Sequence, residues 1–276
     1  MLKDILVHVD SDKTCGSRLE VATKLARAHD AHLTGLYGIP QHPLPGYVKA
    51  EIRQEILDAI AAGHKAGAEE AERVFNAACK RDGVAGEWRW SDGQVVEQLA
   101  LHGRYADIVI VGQRDPEAFA SDFDQMPDRL ILSAGRPVLV VPYVGTFPTI
   151  GKDILVAWDA SRLATRAVND SLPLLKTAKK VHLLAVNPAG GHNGHGEIPC
   201  ADISLHLARH GVNAEASSIR ADDLDVGDAI LSRAADFGVD MIVMGAYGHA
   251  RWRELVLGGA THHILRHMTV PALMSH

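Results

Sequence analysis

The feature that most constrains this chain is that it is written twice. Lys3-Asp4-Ile5-Leu6-Val7-His8-Val9-Asp10 returns as Lys152-Asp153-Ile154-Leu155-Val156-Ala157-Trp158-Asp159, with six of eight positions identical at an offset of 149 residues. His32-Leu33 returns as His182-Leu183 at an offset of 150. Further on, Ala106-Asp107-Ile108-Val109-Ile110-Val111-Gly112 matches Val239-Asp240-Met241-Ile242-Val243-Met244-Gly245 at 133, and Arg136 to Val140 matches the stretch ending Pro271-Ala272-Leu273-Met274 at 134. Solenoid and propeller repeats are far shorter, about 20–50 residues. Two copies of this size in 276 residues are instead two homologous domains. We place them at 1–144 and 151–276, joined through Pro142 to Gly151, a stretch with two prolines and two glycines. The offset shrinks by 16 to 17 residues midway, so the first copy carries extra chain, mostly within Glu51 to Lys80.

Each copy alternates strands with helices. The first reads as strand Ile5–Val9, helix Cys15–His29, strand His32–Tyr37, a long helix Gln54–Arg81, strand Gly86–Trp90, helix Gly93–Leu101, strand Ile108–Val111, helix Met126–Ser133 and strand Val138–Val141. The second reads as strand Ile154–Trp158, helix Arg162–Lys176, strand Val181–Val186, helix Ile203–His210, strand Glu215–Ile219, helix Asp225–Ala235, strand Met241–Met244, helix His262–His267 and strand Pro271–Met274. Strands made of near-continuous Val, Ile, Leu and Met suit a parallel sheet covered on both faces. The expected fold is therefore α/β, two homologous, doubly wound, Rossmann-like domains in tandem.

Charge and cysteine content narrow the partners. Lys plus Arg number 28 against 34 for Asp plus Glu, a formal charge of −6. That balance, with no concentrated basic run, argues against nucleic acid, whose phosphates must be neutralised. Lys176 to Lys180 reads as an exposed helix end leading into a strand. Cys15, Cys79 and Cys200 form no Cys-x-x-Cys pair and cannot all be bridged, which fits a reducing compartment. The opening MLKDILVHVD runs into a strand without an apolar stretch of signal or membrane-spanning length, so the expectation is a cytoplasmic protein with no membrane partner.

In an open parallel sheet, ligands bind beyond the carboxyl ends of the strands, where the strand order reverses. In the second copy those ends carry Asp159, Val186 and Gly245. After them comes Gly245-x2-Gly248-x9-Gly258, followed by Gly259, Ala260 and Thr261. Glycine lets backbone approach a ligand closely, and amides at a helix start favour an anion. Two readings stand on mechanism alone: a cradle for a polyphosphate, or glycines that only shape a turn and cap a helix.

This pattern, Gly-x2-Gly-x9-Gly after the fourth strand with an Asp closing the first, resembles the universal stress protein family in its tandem form, and the likeness runs through both copies. The resemblance implies ATP, possibly with Mg2+, bound by Ala157, Asp159, Val186, Met244, Gly245, Gly248, Gly258, Gly259 and Ala260. Asp159 would hold the adenosine portion, and Gly258 to Ala260 would offer amides to phosphate. It also implies pairing through the final strands, Val138 to Val141 and Pro271 to Met274, as an intramolecular pseudo-dimer or a homodimer of chains. The family's Ser or Thr after the last glycine is here Gly259, and the nearest hydroxyl is Thr261. The first copy departs further. After Gly112 it has no glycine until Gly135 and places Asp115, Glu117, Asp122 and Asp124 where phosphates would lie, so its site reads as degenerate, with Asp10 unable to rescue it.

Other groups leave alternatives open. His192, His195, Glu197 and Cys200 gather in one glycine-rich loop, either a zinc site of unfamiliar spacing or a metal-free loop at the mouth of the crevice. His263 and His267 share a helix face, and His262 either helps hold an anion or faces solvent. Trp158 and Tyr247 either stack on a base or serve as core and lid. No Gly-x-Ser-x-Gly, Walker or His-Glu-x-x-His pattern occurs, and no convincing base for an attacking water is present. The expected function is a regulatory, stress-responsive adenine nucleotide binder. The alternatives are a non-nucleotide protein-interaction module of the same fold and a weak ATP hydrolase.

Overall fold

A computed structural model describes residues 1–39, 53–115, 126–188, 198–248 and 259–276. Its strands are β1 (Asp4–Val9), β2 (His32–Ile39), β3 (Gly86–Asp92), β4 (Ile108–Gly112), β5 (Val138–Val141), β6 (Asp153–Ala157), β7 (Lys180–Val186), β8 (Ala214–Ile219), β9 (Met241–Gly245) and β10 (Ala272–Ser275). Its helices are α1 (Cys15–His29), α2 (Gln54–Asp82), α3 (Val95–Gly103), α4 (Met126–Ser133), α5 (Arg162–Leu175), α6 (Ala201–Arg209), α7 (Val226–Phe237) and α8 (Gly259–His267). The extra chain of the first copy is α2, 29 residues long where α6 has 9.

The strands form one ten-stranded sheet in the order β3-β2-β1-β4-β5-β10-β9-β6-β7-β8. Each half therefore repeats one parallel order, with the first strand central and the chain reversing direction beside it. The halves meet at the antiparallel pair β5 and β10, with Leu139 opposite Leu273. Two doubly wound units are thus fused edge to edge into a single sheet. The closing strands, short Val-rich and Leu-rich runs buried on both faces, have no exposed edge left to protect.

Alternation along each strand divides the core in two. Ile5, Val7 and Val9 join Ile154, Val156 and Leu273 under α1, α2, α5 and α6, while Leu6 joins Leu155, Val140 and Met274 under the other four helices. Both layers draw residues from both halves. Helix ends follow local chemistry: Ser161 caps α5 by accepting from the Ala164 amide, Asp225 caps α7 by accepting from Gly227, and Gly238 ends α7 in the left-handed region. Lys176, Lys179 and Lys180 are exposed where α5 gives way to β7, as the sequence led us to expect. Cys15, Cys79 and Cys200 are separate buried thiols, and burial pushes each of them up from the ordinary thiol range.

Candidate functional site

In the second half the order reverses between β6 and β9, so their carboxyl ends frame a crevice. Ala157 ends β6 in register with Met244 of β9 on one side and Leu184 of β7 on the other. Asp159 lies two residues on, exposed, and its Oδ1 accepts from the Ser161 amide at 2.9 Å. Ser161 in turn caps α5, so one Asp-x-Ser turn fixes both the carboxylate and the helix start. A Cβ built on Gly248 would sit 4.0 Å from Asp159 Oδ2 and 3.8 Å from Ser161 Oγ. Asp159 and Gly248, 89 residues apart in sequence, are neighbours at the mouth of this crevice.

The glycines divide in role. Gly245 is the last residue of β9, and a Cβ there would come within 2.6 Å of both the Ala164 nitrogen and the Leu163 carbonyl carbon. It is therefore glycine because the first turn of α5 crosses against it. Gly248 is exposed with nothing closer than 3.8 Å, which leaves its face open. Helix α8 begins at Gly259, earlier than the His262 start read from sequence, so Gly259 and Ala260 supply its first unpaired amides. A Cβ on Gly259 would meet only Asp225 Oδ2, at 3.7 Å. No acidic residue stands in the first turn of α8. Thr261 is buried, and its Oγ1 accepts from the Tyr247 amide at 3.1 Å, tying the turn after β9 to the start of α8. Gly258 lies outside the described residues.

Val186 closes β7, half-buried, followed by Asn187 in the left-handed region. The Asn187 side chain brackets the Ala221 peptide, accepting from its amide at 2.7 Å and donating to its carbonyl at 3.2 Å. Among described residues, five non-glycines have positive φ, and three of them, Ala160, Asn187 and Tyr247, follow β6, β7 and β9. Backbone strain of this kind concentrates at functional sites. The sequence reading missed Ser161 and Asn187, and named Thr261 only as the nearest hydroxyl; the Asp159-x-Ser161 spacing was the one available signal.

The first half has the same turn with different contents. Asp10 Oδ1 accepts from the Asp12 amide at 3.1 Å, as Asp159 does from Ser161. But His8 stands where the second half has Ala157, and Arg18 where it has Ala167, both at the offset of 149. The Arg18 guanidinium lies 2.8 Å from Asp10 Oδ1, and His8 Nδ1 lies 3.4 Å from Asp10 Oδ2. Arg18 and His8 are almost wholly buried, and a Cβ on Gly112 would run into Arg18 Nη1. Burial outweighs the Asp10 charge and pushes His8 down to about 4, so it is neutral, while Arg18 and His8 together hold Asp10 below the usual carboxylate range against its own burial. Asp128 occupies the first turn of α4. Asp115 lies 3.3 Å from Lys13 Nζ. Glu117, Asp122 and Asp124 lie outside the described residues.

The remaining candidates sort simply. Trp158 packs half-buried against the core. Tyr247 donates through its hydroxyl to Asp128 of the first half at 2.6 Å. His262 Nδ1 lies 3.8 Å from that same carboxylate, while His263 pairs with Asp228 at 2.8 Å and its ring lies tilted against that of His267 at 4.6 Å. His192, His195 and Glu197 lie outside the described residues. Cys200 caps α6 in the left-handed region. No described helix is long and apolar enough to cross a membrane.

Two copies of a five-stranded, doubly wound α/β unit sharing one sheet define the class. The universal stress protein family model matches residues 1–142 and 201–276, and the chain belongs to that family. The matched segments include the glycine turn after β9 but not Asp159. Universal stress protein Slr1230 of Synechocystis is 31% identical over 180 residues, 60% of this chain, and the match spans only 57% of that relative's length. Among solved structures, a universal stress protein from Archaeoglobus fulgidus superimposes with a TM-score of 0.72 at 17% identity, covering 99% of this chain and 97% of the other. Protein PA1789 of Pseudomonas aeruginosa gives 0.60 at 14% identity, covering 99% and 92%. At those identities the likeness is one of fold.

Proposed function

We propose that the chain is a regulatory, stress-responsive protein that binds one adenine nucleotide, ATP with Mg2+, in its second domain, 151–276. The observation that carries this reading is the contrast between equivalent crevices. At β6 and β9 the floor is Ala157, the carboxylate of Asp159 faces an open Gly248, and α8 has no acidic residue of its own in its first turn, the nearest carboxylates there being Asp225 and Asp128 from neighbouring helices. At β1 and β4 the same space holds His8, Arg18 and the ion-paired Asp10, and the helix start carries Asp128. On this reading the base is placed over Ala157, beside Met244 and Val186, and the ribose hydroxyls at Asp159. The phosphates suit the amides of Gly248 and of Gly258 to Ala260, an anion position at a helix start.

A hydroxyl on phosphate is not part of this reading, because Thr261 is buried beneath the turn and position 259 is glycine. Nor is catalysis: Asp159 is fixed by Ser161 beside the crevice, as a ribose partner would be. The first domain, 1–144, is a degenerate copy that pairs with the second through β5 and β10 as an intramolecular pseudo-dimer. Three separate buried thiols favour the cytoplasm.

Calorimetric titration of nucleotide-free protein with MgATP tests the proposal. The expected result is saturable binding at one site per chain, weakened by at least about tenfold in Gly248→Asp, which sets a second carboxylate beside Asp159 and against the phosphates. No binding to the nucleotide-free wild type would overturn it and leave the chain as an interaction module of the same fold.

A further inference from the structure

Tyr247 is in the wrong conformation for its residue type. It follows Ala246 in the turn between Gly245 and Gly248 with φ at 61°, a region that a bulky side chain occupies only when its surroundings hold it there. Three contacts surround it. Its amide donates to Thr261 Oγ1, its ring meets that of His276 edge-on at 6.5 Å, and its hydroxyl donates to Asp128 Oδ1 at 2.6 Å. The first two come from its own half. The third crosses the molecule, since Asp128 belongs to α4, 119 residues earlier in the chain.

That third contact is well made. The Asp128 side chain is mostly buried, at 16% exposure, and a bond from a neutral hydroxyl to a charged carboxylate is among the stronger kinds. Burial, with the neighbouring Asp128 adding to it, pushes the Tyr247 phenol up, so it stays a donor. His262 Nδ1, in the first turn of α8, lies 3.8 Å from the same oxygen, close but beyond hydrogen-bond reach. One carboxylate of the first half therefore stands against both the turn after β9 and the helix start, the two pieces that frame the open crevice.

We propose that Asp128 is a positioning residue for the second half's ligand turn: by accepting the Tyr247 hydroxyl it holds Tyr247 left-handed, with the Ala246 amide on the Ser275 carbonyl and the Tyr247 amide on Thr261, and so keeps the Gly248 amide presented to a bound anion. The ligand in this statement rests on the nucleotide reading above; the positioning does not. On this account the first half, with its own crevice filled, still serves the second. It supplies an anchor that a lone copy of the second half would lack.

The test uses the full chain with Tyr247→Phe, Asp128→Ala, Asp128→Asn and the Tyr247→Phe/Asp128→Ala pair. Amide hydrogen exchange without nucleotide is expected to quicken at residues 246–248 in Tyr247→Phe and Asp128→Ala. In Asp128→Asn, which keeps an acceptor oxygen, it should stay at the wild-type rate. MgATP affinity is expected to fall about tenfold in each of the first two variants and no further in the pair, because both remove one bond. Unchanged exchange at 246–248, additive losses, or acceleration spread evenly over β4, β9 and the rest of the core would overturn the proposal. Should wild type bind no MgATP, the nucleotide reading fails on its own and the exchange comparison alone decides the positioning role.

Discussion

A Cβ at Gly245 would press on the backbone of Leu163 and Ala164, atoms that cannot swing aside as a side-chain tip does. Gly245→Ala should therefore cost about 1–3 kcal/mol, and Gly248→Ala, whose nearest neighbours are at 3.8 Å, less than about 0.5 kcal/mol, both read by urea unfolding. The pattern of the glycines was legible in sequence, but this division of labour was not. It depends on where α5 starts relative to β9, a tertiary relation that spacing along the chain does not record. His8 makes the complementary case. It faces Asp10 and Arg18, and the native state holds it neutral down to about pH 4, whereas the unfolded chain takes up the proton near its usual 6.5. The unfolded state thus binds more protons in that window, so stability is full above about pH 6.5 and is lost as pH falls toward 4, by roughly 3 kcal/mol. Unfolding curves of wild type and His8→Asn across that range should show the slope in the first and its reduction in the second. An equal slope in both would contradict the assignment. That His8 replaces Ala157 is plain from the repeat, yet only the packing shows that it fills the crevice with Arg18.

At the scale of elements, strands and most helices followed directly from composition and period. Cys15–His29 and Met126–Ser133 run where the sequence places them, because an apolar stripe and a clear stop define each. The start of α8 did not follow, since Gly259 and Ala260 hold helical form there although glycine is a poor helix former. The antiparallel seam of β5 and β10 was implied by the family resemblance but not by the chain's own pattern. Crossover connections enforce the parallel pairs within each half, but the linker after β5 leaves the relation of the two sheets open. The seam is reinforced beside the strands by Gln113, buried just after β4, whose amide donates to the Leu265 carbonyl at 2.9 Å and accepts from the Tyr143 amide at 3.1 Å. Gln113→Leu keeps the volume but leaves both backbone groups unpaired, so we expect a loss of about 2 kcal/mol, measured by chemical denaturation. A neutral outcome would mean that water or a shift in the linker replaces both bonds.

For the molecule as a whole, duplication has produced asymmetry. One sheet carries two crevices at equivalent switch points; one is packed with its own charged side chains, and the other is framed by strained turns, an open Gly248 and the start of α8. The repeat made the two copies legible, and the carboxylates after Gly112 marked the first as different, but the atoms that fill its crevice, His8 and Arg18, lie on β1 and α1, far from that segment in sequence. On the function proposed above, the two domains divide their work, the first supporting and the second binding. The measurement that addresses this most directly is hydrogen exchange of the intact chain with and without saturating MgATP, read peptide by peptide. The account predicts added protection at residues 157–161, 245–248 and 259–261, with none at 8–18 or 112–115. Protection in the first half, or in neither, would contradict it.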